Sequence, residues 1–326
     1  MTAYPQSISV TTPVSEAIER VKLMLFRPFD PSKWFTIGFC AWLAGFGSRG
    51  FSFNYGGGGS QHKGGSGGGN AREVFDHAQR FVMNNLFWIL PLVVALVLLS
   101  LAVGVVLLWL RSRGEFMFLH CVALNKAEVD VPWRKFVTEG NSLFVFRLVL
   151  GLAWMIPLVS FAIVTIVLVM RMVNRGAPDW YVIISLIGVG LMIMTLGVVF
   201  LIIGKLTIDF VVPIMFLRRC KCLNGWREFG HLFSTHVANF VVYLLFQVVL
   251  GLAIGMMVLA AVIATCCIAG CLMVIPYLGT VVLLPVLTFK RSYSLLYLAQ
   301  YGREYDVFPP PIVTTIPGAL PPAAAA

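Results

Sequence analysis

Arg111 and Glu115 stand four residues apart, and so do Lys205 and Asp209. On a helix that spacing puts a base and an acid on one face, where they can pair. Arg147 is a third case, a lone arginine inside the apolar stretch "LFVFRLVLGLA". All five residues sit where the chain enters or leaves a long apolar segment. Ionised groups at membrane depth are costly to bury and by default mark an ion or substrate path. The competing reading places them at the cytoplasmic boundary, paired or snorkelling.

Little else in the chain points to chemistry. His231 and His236 are five residues apart, which puts them on different helix faces and fails the four-residue spacing of a helical zinc pair. The cysteines of "CKC" (220–222) and "CCIAGC" (266–271) lack histidine or acidic companions and read as small packing residues. There is no serine–histidine–aspartate set, no paired-carboxylate site and no nucleotide loop. The expectation is a chain without catalytic residues, metal or cofactor, leaning away from an enzyme.

The elements that must position these charges follow from composition. The 326 residues are 59% hydrophobic and only 12% charged, with a mean hydropathy of +0.89, whereas about a quarter of a soluble domain is charged. An all-α, polytopic transmembrane helical bundle is predicted. The formal charge of +10 is then expected to meet anionic lipid head groups rather than nucleic acid. No apolar h-region of a cleaved signal is read near the start.

A crossing helix needs ~20 apolar residues. Six spans are predicted, at about 34–47, 86–110, 143–170, 181–204, 240–264 and 271–289. The first, "WFTIGFCAWLAGF", is short enough to be re-entrant. The last two are separated at Gly270. With six crossings, eighteen lysines and arginines fall on one side and six on the other, namely Arg49, Lys63, Arg72, Arg80, Arg171 and Arg175. The positive-inside rule therefore puts both termini in the cytoplasm. The glycine-rich run within 48–70 becomes an outer linker rather than a phosphate loop, since Lys63 is followed by glycine. Residues 1–14 and the Pro/Ala-rich 306–326 read as tails flanking a single domain, 15–305, with the second disordered.

An internal repeat organises that domain. "FLHCVALNKAEVDVPWRKF" (118–136) leads to "RLVLGLA", and "FLRRCKCLNGWREF" (216–229) leads to "QVVLGLA". The matched residues are Asn125 with Asn224, Trp133 with Trp226 and Arg134 with Arg227, all expected to be structural. Gln247 then stands opposite Arg147, which favours the boundary reading of the charges. Three units are predicted, each an interfacial amphipathic helix followed by a helical hairpin, with Ser15 capping the first amphipathic helix. Trp34, Trp88, Trp133, Trp180 and Trp226 fall near span ends as an aromatic belt. Gly190, Gly197 and Gly204, and Gly251 with Gly255, predict close helix packing.

With this layout, the "RPFD…KW" of the N-terminal segment and the "FL…N…W" of the repeat, the chain resembles the membrane domain of bacterial glycerophosphoryl diester phosphodiesterases and its uncharacterised six-span relatives. The resemblance covers about 15–305. It implies a bacterial inner-membrane bundle linked to lipids or envelope upkeep, and it carries over no catalytic residue, because the soluble phosphodiesterase domain is absent from this sequence. Three functions stay open: a non-enzymatic scaffold or regulator that associates with lipid, a transporter or channel with a site at the repeat interface, and a lipid-modifying enzyme. The last requires Glu115, His120, Asn125 and Asp209 to gather at one place. Expected partners are anionic membrane lipids; a homo-oligomer or an unidentified membrane partner stays open.

Overall fold

The computed structural model describes residues 8–45, 86–175, 180–265, 270 and 275–308, and every regular element among them is helical. The helices are α1 (Thr12–Val21), continued by a π-helical turn (Lys22–Phe26), α2 (Pro31–Gly45), α3 (Leu86–Leu124) and the short α4 (Asp130–Lys135). Then come α5 (Val137–Arg175) and α6 (Trp180–Leu206), the latter passing through a second π-helical turn (Thr207–Val211) into α7 (Val212–Arg218). α8 (Cys222–Thr235), α9 (Val237–Ala264), α10 (Pro276–Val282) and α11 (Leu284–Ala299) follow. The expected glycine-rich loop, the helix after it and the break near Gly270 fall largely or wholly on residues outside those described.

Among the described residues four stretches are long and apolar enough to cross a membrane: Leu90–Leu124, Val137–Leu168, Trp180–Arg218 and Val237–Ala264. Their helices overrun the predicted limits. α3 continues past residue 110 to Leu124, and α6 runs on through the π-helical turn into α7. Arg111, Glu115, Lys205 and Asp209 therefore sit inside helices rather than at the first residues of loops.

The other two expected spans take different forms. The described part of the first expected span, 34–45, falls on α2, whose 15 residues measure roughly 22 Å at 1.5 Å per residue. α2 runs antiparallel along the last third of α3: Lys33 reaches Asn125, Cys40 meets Cys121, and Ala44 lies against Gly114. A Cβ on Gly114 would come within 2.6 Å of the Ala44 nitrogen, so the crossing requires glycine there. Residues 276–299 form two helices rather than one, interrupted at Leu283. Pro285 has no N–H to offer the Val281 carbonyl four residues back, and the Trp34 indole donates to that oxygen instead (2.9 Å). α11 then descends antiparallel to α9, with Tyr293 beside Phe246 and Tyr297 donating to the Asn239 carbonyl.

Burial divides the molecule. Almost no residue in the most apolar windows of the four long stretches is buried, and exposure reaches 74% at Leu201. A helix apolar all round with nothing packed on it suits hydrocarbon. The buried core lies instead at the charged ends of these helices, together with α1, α2, α8 and α11. Its centre is aromatic: Phe210, Phe229, Phe240, Tyr243 and Tyr297 lie in successive ring contacts of 4.6–5.3 Å.

Several local expectations change. α1 starts at Thr12 rather than after Ser15, since the fixed φ and missing N–H of Pro13 suit a first helical turn. The predicted N-terminal tail is pinned: Ser9 and Gln300 exchange two hydrogen bonds (2.8 and 3.0 Å), and the Tyr293 hydroxyl donates to the Val10 carbonyl. At the other end Val307 and Phe308 are buried, Phe308 lying under the Arg20 guanidinium at 3.3 Å. Gly197 packs on Trp154, whereas Gly190, Gly204, Gly251 and Gly255 face open space, so glycine there does not bring described helices together.

Candidate functional site

A cleft of about 170 Å³ opens where α2, α3, the π-helical turn after α6 and α11 converge. Its polar lining is Arg111, Glu115, Lys205, Asp209, Lys290 and Arg291, set among Ala41, Ala44, Phe118, Ile208 and Leu287. Four basic side chains thus face two carboxylates inside a largely apolar frame. Both acids are already engaged. Arg147 Nη2 of α5 reaches Glu115 Oε1 at 3.3 Å, so Glu115 takes its partner from another helix rather than from Arg111 one turn away. Asp209 Oδ2 lies 2.7 Å from Lys205 Nζ and accepts from the Tyr243 hydroxyl at 3.0 Å. Gln247 Nε2 donates in turn to the Tyr243 oxygen (2.9 Å). Gln247, whose repeat partner is Arg147, thus stands behind the second carboxylate as Arg147 stands behind the first.

The π-helical turn explains why Arg291 enters the cleft. Within it the Val212 N–H bonds to the Thr207 carbonyl, five residues back. The next amide in that pattern belongs to Pro213, which has no N–H, so the Ile208 carbonyl is left without a helical donor. Arg291 Nη1 fills the vacancy at 2.7 Å. Its Nε and Nη2 remain buried without a hydrogen-bond partner, as do Arg111 Nε and Arg147 Nη1. Buried donors are normally satisfied, so four such nitrogens around one cleft call for an explanation.

The remaining candidates lie elsewhere. Asn125 ends α3 in the left-handed conformation (φ 56°) and accepts from Lys33 Nζ at 2.8 Å. Trp133 stands edge-on to Trp109 at 5.8 Å, with the Arg113 guanidinium over both rings. Trp226 contacts Phe146 and Phe229. Arg134, Asn224 and Arg227 are exposed. His120 is buried, with Glu128 at 3.8 Å, so the four groups a lipid-modifying enzyme would need are split among three places. Among the described residues no group of three or more His, Cys, Asp or Glu side chains is placed to hold a metal ion.

In the sequence Arg291 is one of the eighteen basic residues assigned to the cytoplasmic side, with no other role. Tyr243 and Arg219 are likewise not singled out there; the latter is left-handed (φ 52°) and donates from Nη1 to the Lys135 carbonyl (2.9 Å) and Glu139 (3.1 Å), tying α7 to α5. The available signal for Arg291 was the tyrosine stripe 293, 297 and 301 at four-residue spacing, which marks α11 as buried, together with Pro213 inside a helical pattern.

No curated protein and no solved structure matches the chain. A family model does, over residues 8–277, which takes in α2, α3 and the π-helical turn that line the cleft. On that match, which covers most of its length, the chain belongs to a family of unknown function, DUF7544.

Proposed function

We propose that this membrane protein is a non-enzymatic scaffold or regulator of the bacterial inner membrane that associates with anionic lipid head groups. The observation that carries the reading is the division of burial: bare apolar helix lengths suited to hydrocarbon rise from a packed base bearing the charges. Exposed Lys22, Arg27, Lys126, Arg134, Lys135, Lys221 and Arg227 on that base suit attraction to an anionic leaflet, each worth about 1 kcal/mol near the surface. The finer architecture belongs to the same proposal: six crossings in three related units, both termini cytoplasmic, and kinship with the membrane domain of glycerophosphoryl diester phosphodiesterases. It is supported by the one-residue breaks at Phe136 (φ −111°, ψ 34°) and His236 (φ −130°, ψ 39°), which precede α5 and α9 at matching places in the repeat. The antiparallel course of α11 along α9 supports a further crossing there.

Purification in native lipid followed by mass spectrometry of what is retained tests the lipid reading. Enrichment of anionic over zwitterionic lipid, relative to the bulk membrane, is expected; retention at the bulk ratio would sink it. Reporter fusions at residue 62 and at the C-terminus, expected outside and inside respectively, test the topology. A transport reading is favoured by one observation, the place of Asp209 in the cleft lining, and predicts solute flux in liposomes that Asp209→Asn abolishes.

A further inference from the structure

We infer that the cleft between α2, α3, the π-helical turn and α11 is a binding site for a phosphate group, held by Arg111 and Arg291. Arg291 is only 4% exposed, and its Nη1 is committed to the Ile208 carbonyl. Its Nε and Nη2, on one edge of the guanidinium, have no partner among the described residues, and neither does Arg111 Nε. Both residues line the same cleft. Glu115 and Asp209 do not cancel their charge, because Arg147 on one side and Lys205 with Tyr243 on the other already hold them.

A guanidinium edge with two parallel N–H groups matches two oxygens of a tetrahedral oxyanion, and the fork geometry favours phosphate and carboxylate over a spherical anion. A volume of about 170 Å³ has room for a phosphate group. The apolar frame of Ala41, Ala44, Phe118 and Leu287 keeps competing water away and strengthens the attraction. The phosphate is that of a phospholipid head group or a free phosphate. Its lipid origin rests on the lipid-associated reading above, whereas the anion chemistry of the cleft does not.

Equilibrium binding of radiolabelled inorganic phosphate to the full chain, delipidated in maltoside detergent, is the test. Saturable binding is expected, at least ten-fold weaker in Arg111→Gln and in Arg291→Gln, and unchanged in Arg303→Gln, which removes an exposed charge outside the cleft. If Arg291→Gln does not fold, Arg111→Gln decides alone. Competition by short-chain phosphatidylglycerol assigns the site to a lipid head group; phosphate binding without such competition assigns it to a soluble phosphate. No saturable binding of either ligand, full binding by Arg111→Gln, or an equal loss in Arg303→Gln would overturn the inference. Retained-lipid mass spectrometry on Arg111→Gln keeps the two readings apart: anionic enrichment that survives there alongside failed phosphate binding removes the cleft and leaves the lipid reading standing.

Discussion

The same long helices live in two solvents. Along residues 148–168 of α5 and across most of α6 the side chains are almost all apolar and largely exposed, while the same backbones carry Arg147, Lys205 and Asp209 into a crowded base. In the first region hydrocarbon replaces the packing partner, so sequence needs to supply only hydrophobicity and length. In the second every polar group must find a specific mate, since burial without one costs about 1–3 kcal/mol. Cohesion of the described fold therefore resides in the base, and the membrane lengths are held by the solvent they match.

The comparison can be broken most severely at the α2–α3 crossing. Gly114→Leu drives a side chain into the backbone of Leu43 and Ala44, and overpacking of this kind costs about 3 kcal/mol or more. Loss of the monodisperse peak in fluorescence-detected size-exclusion chromatography is expected; normal yield would mean that the base does not hold the fold. Tyr243→Phe is next. It removes the donor to Asp209 and the acceptor of Gln247 inside the core, for a loss of about 2 kcal/mol read as a lower melting temperature in detergent. Arg219→Ala breaks two hydrogen bonds from a residue 38% exposed, so about 1 kcal/mol is expected by the same measurement.

The smallest effect should come from the other region. Leu201→Ala and Ile156→Ala remove side chains exposed at 74% and 70%, and each should shift stability by less than about 0.5 kcal/mol. A loss of several degrees at either would sharpen the comparison differently, by revealing a second copy or a partner on that face. Cysteine chemistry gives an independent probe of the base. Burial pushes the Cys222 thiol up to about 12, so at pH 7.5 it is protonated and shielded. Maleimide labelling in detergent should leave it unmodified until dodecyl sulfate opens the core, and rapid labelling of the folded protein would contradict the packing of α8 on α5.

Much of the first region is legible from residue types alone. Runs such as 86–110 and 240–264 announce their environment because a crossing helix needs no particular neighbour, and Lys205 with Asp209 is a local pair that helical spacing places on one face. The limits of the helices were less legible, since charge marks the edge of hydrocarbon and not the end of a hydrogen-bonded backbone. In the base, the choice of Arg147 over Arg111 as the mate of Glu115 depended on how α5 crosses α3.

What the sequence by itself determined is the all-helical membrane character and the placement of charges at the helix ends, because hydrophobicity and periodicity are local properties. What only the tertiary structure decided is which charges share a cleft. Arg291 stands 83 residues from the Ile208 carbonyl it satisfies, and Trp34 stands 247 from that of Val281. Each proline advertises a carbonyl without its helical donor, but the donor that arrives is fixed by packing across the fold, over separations that no local pattern encodes.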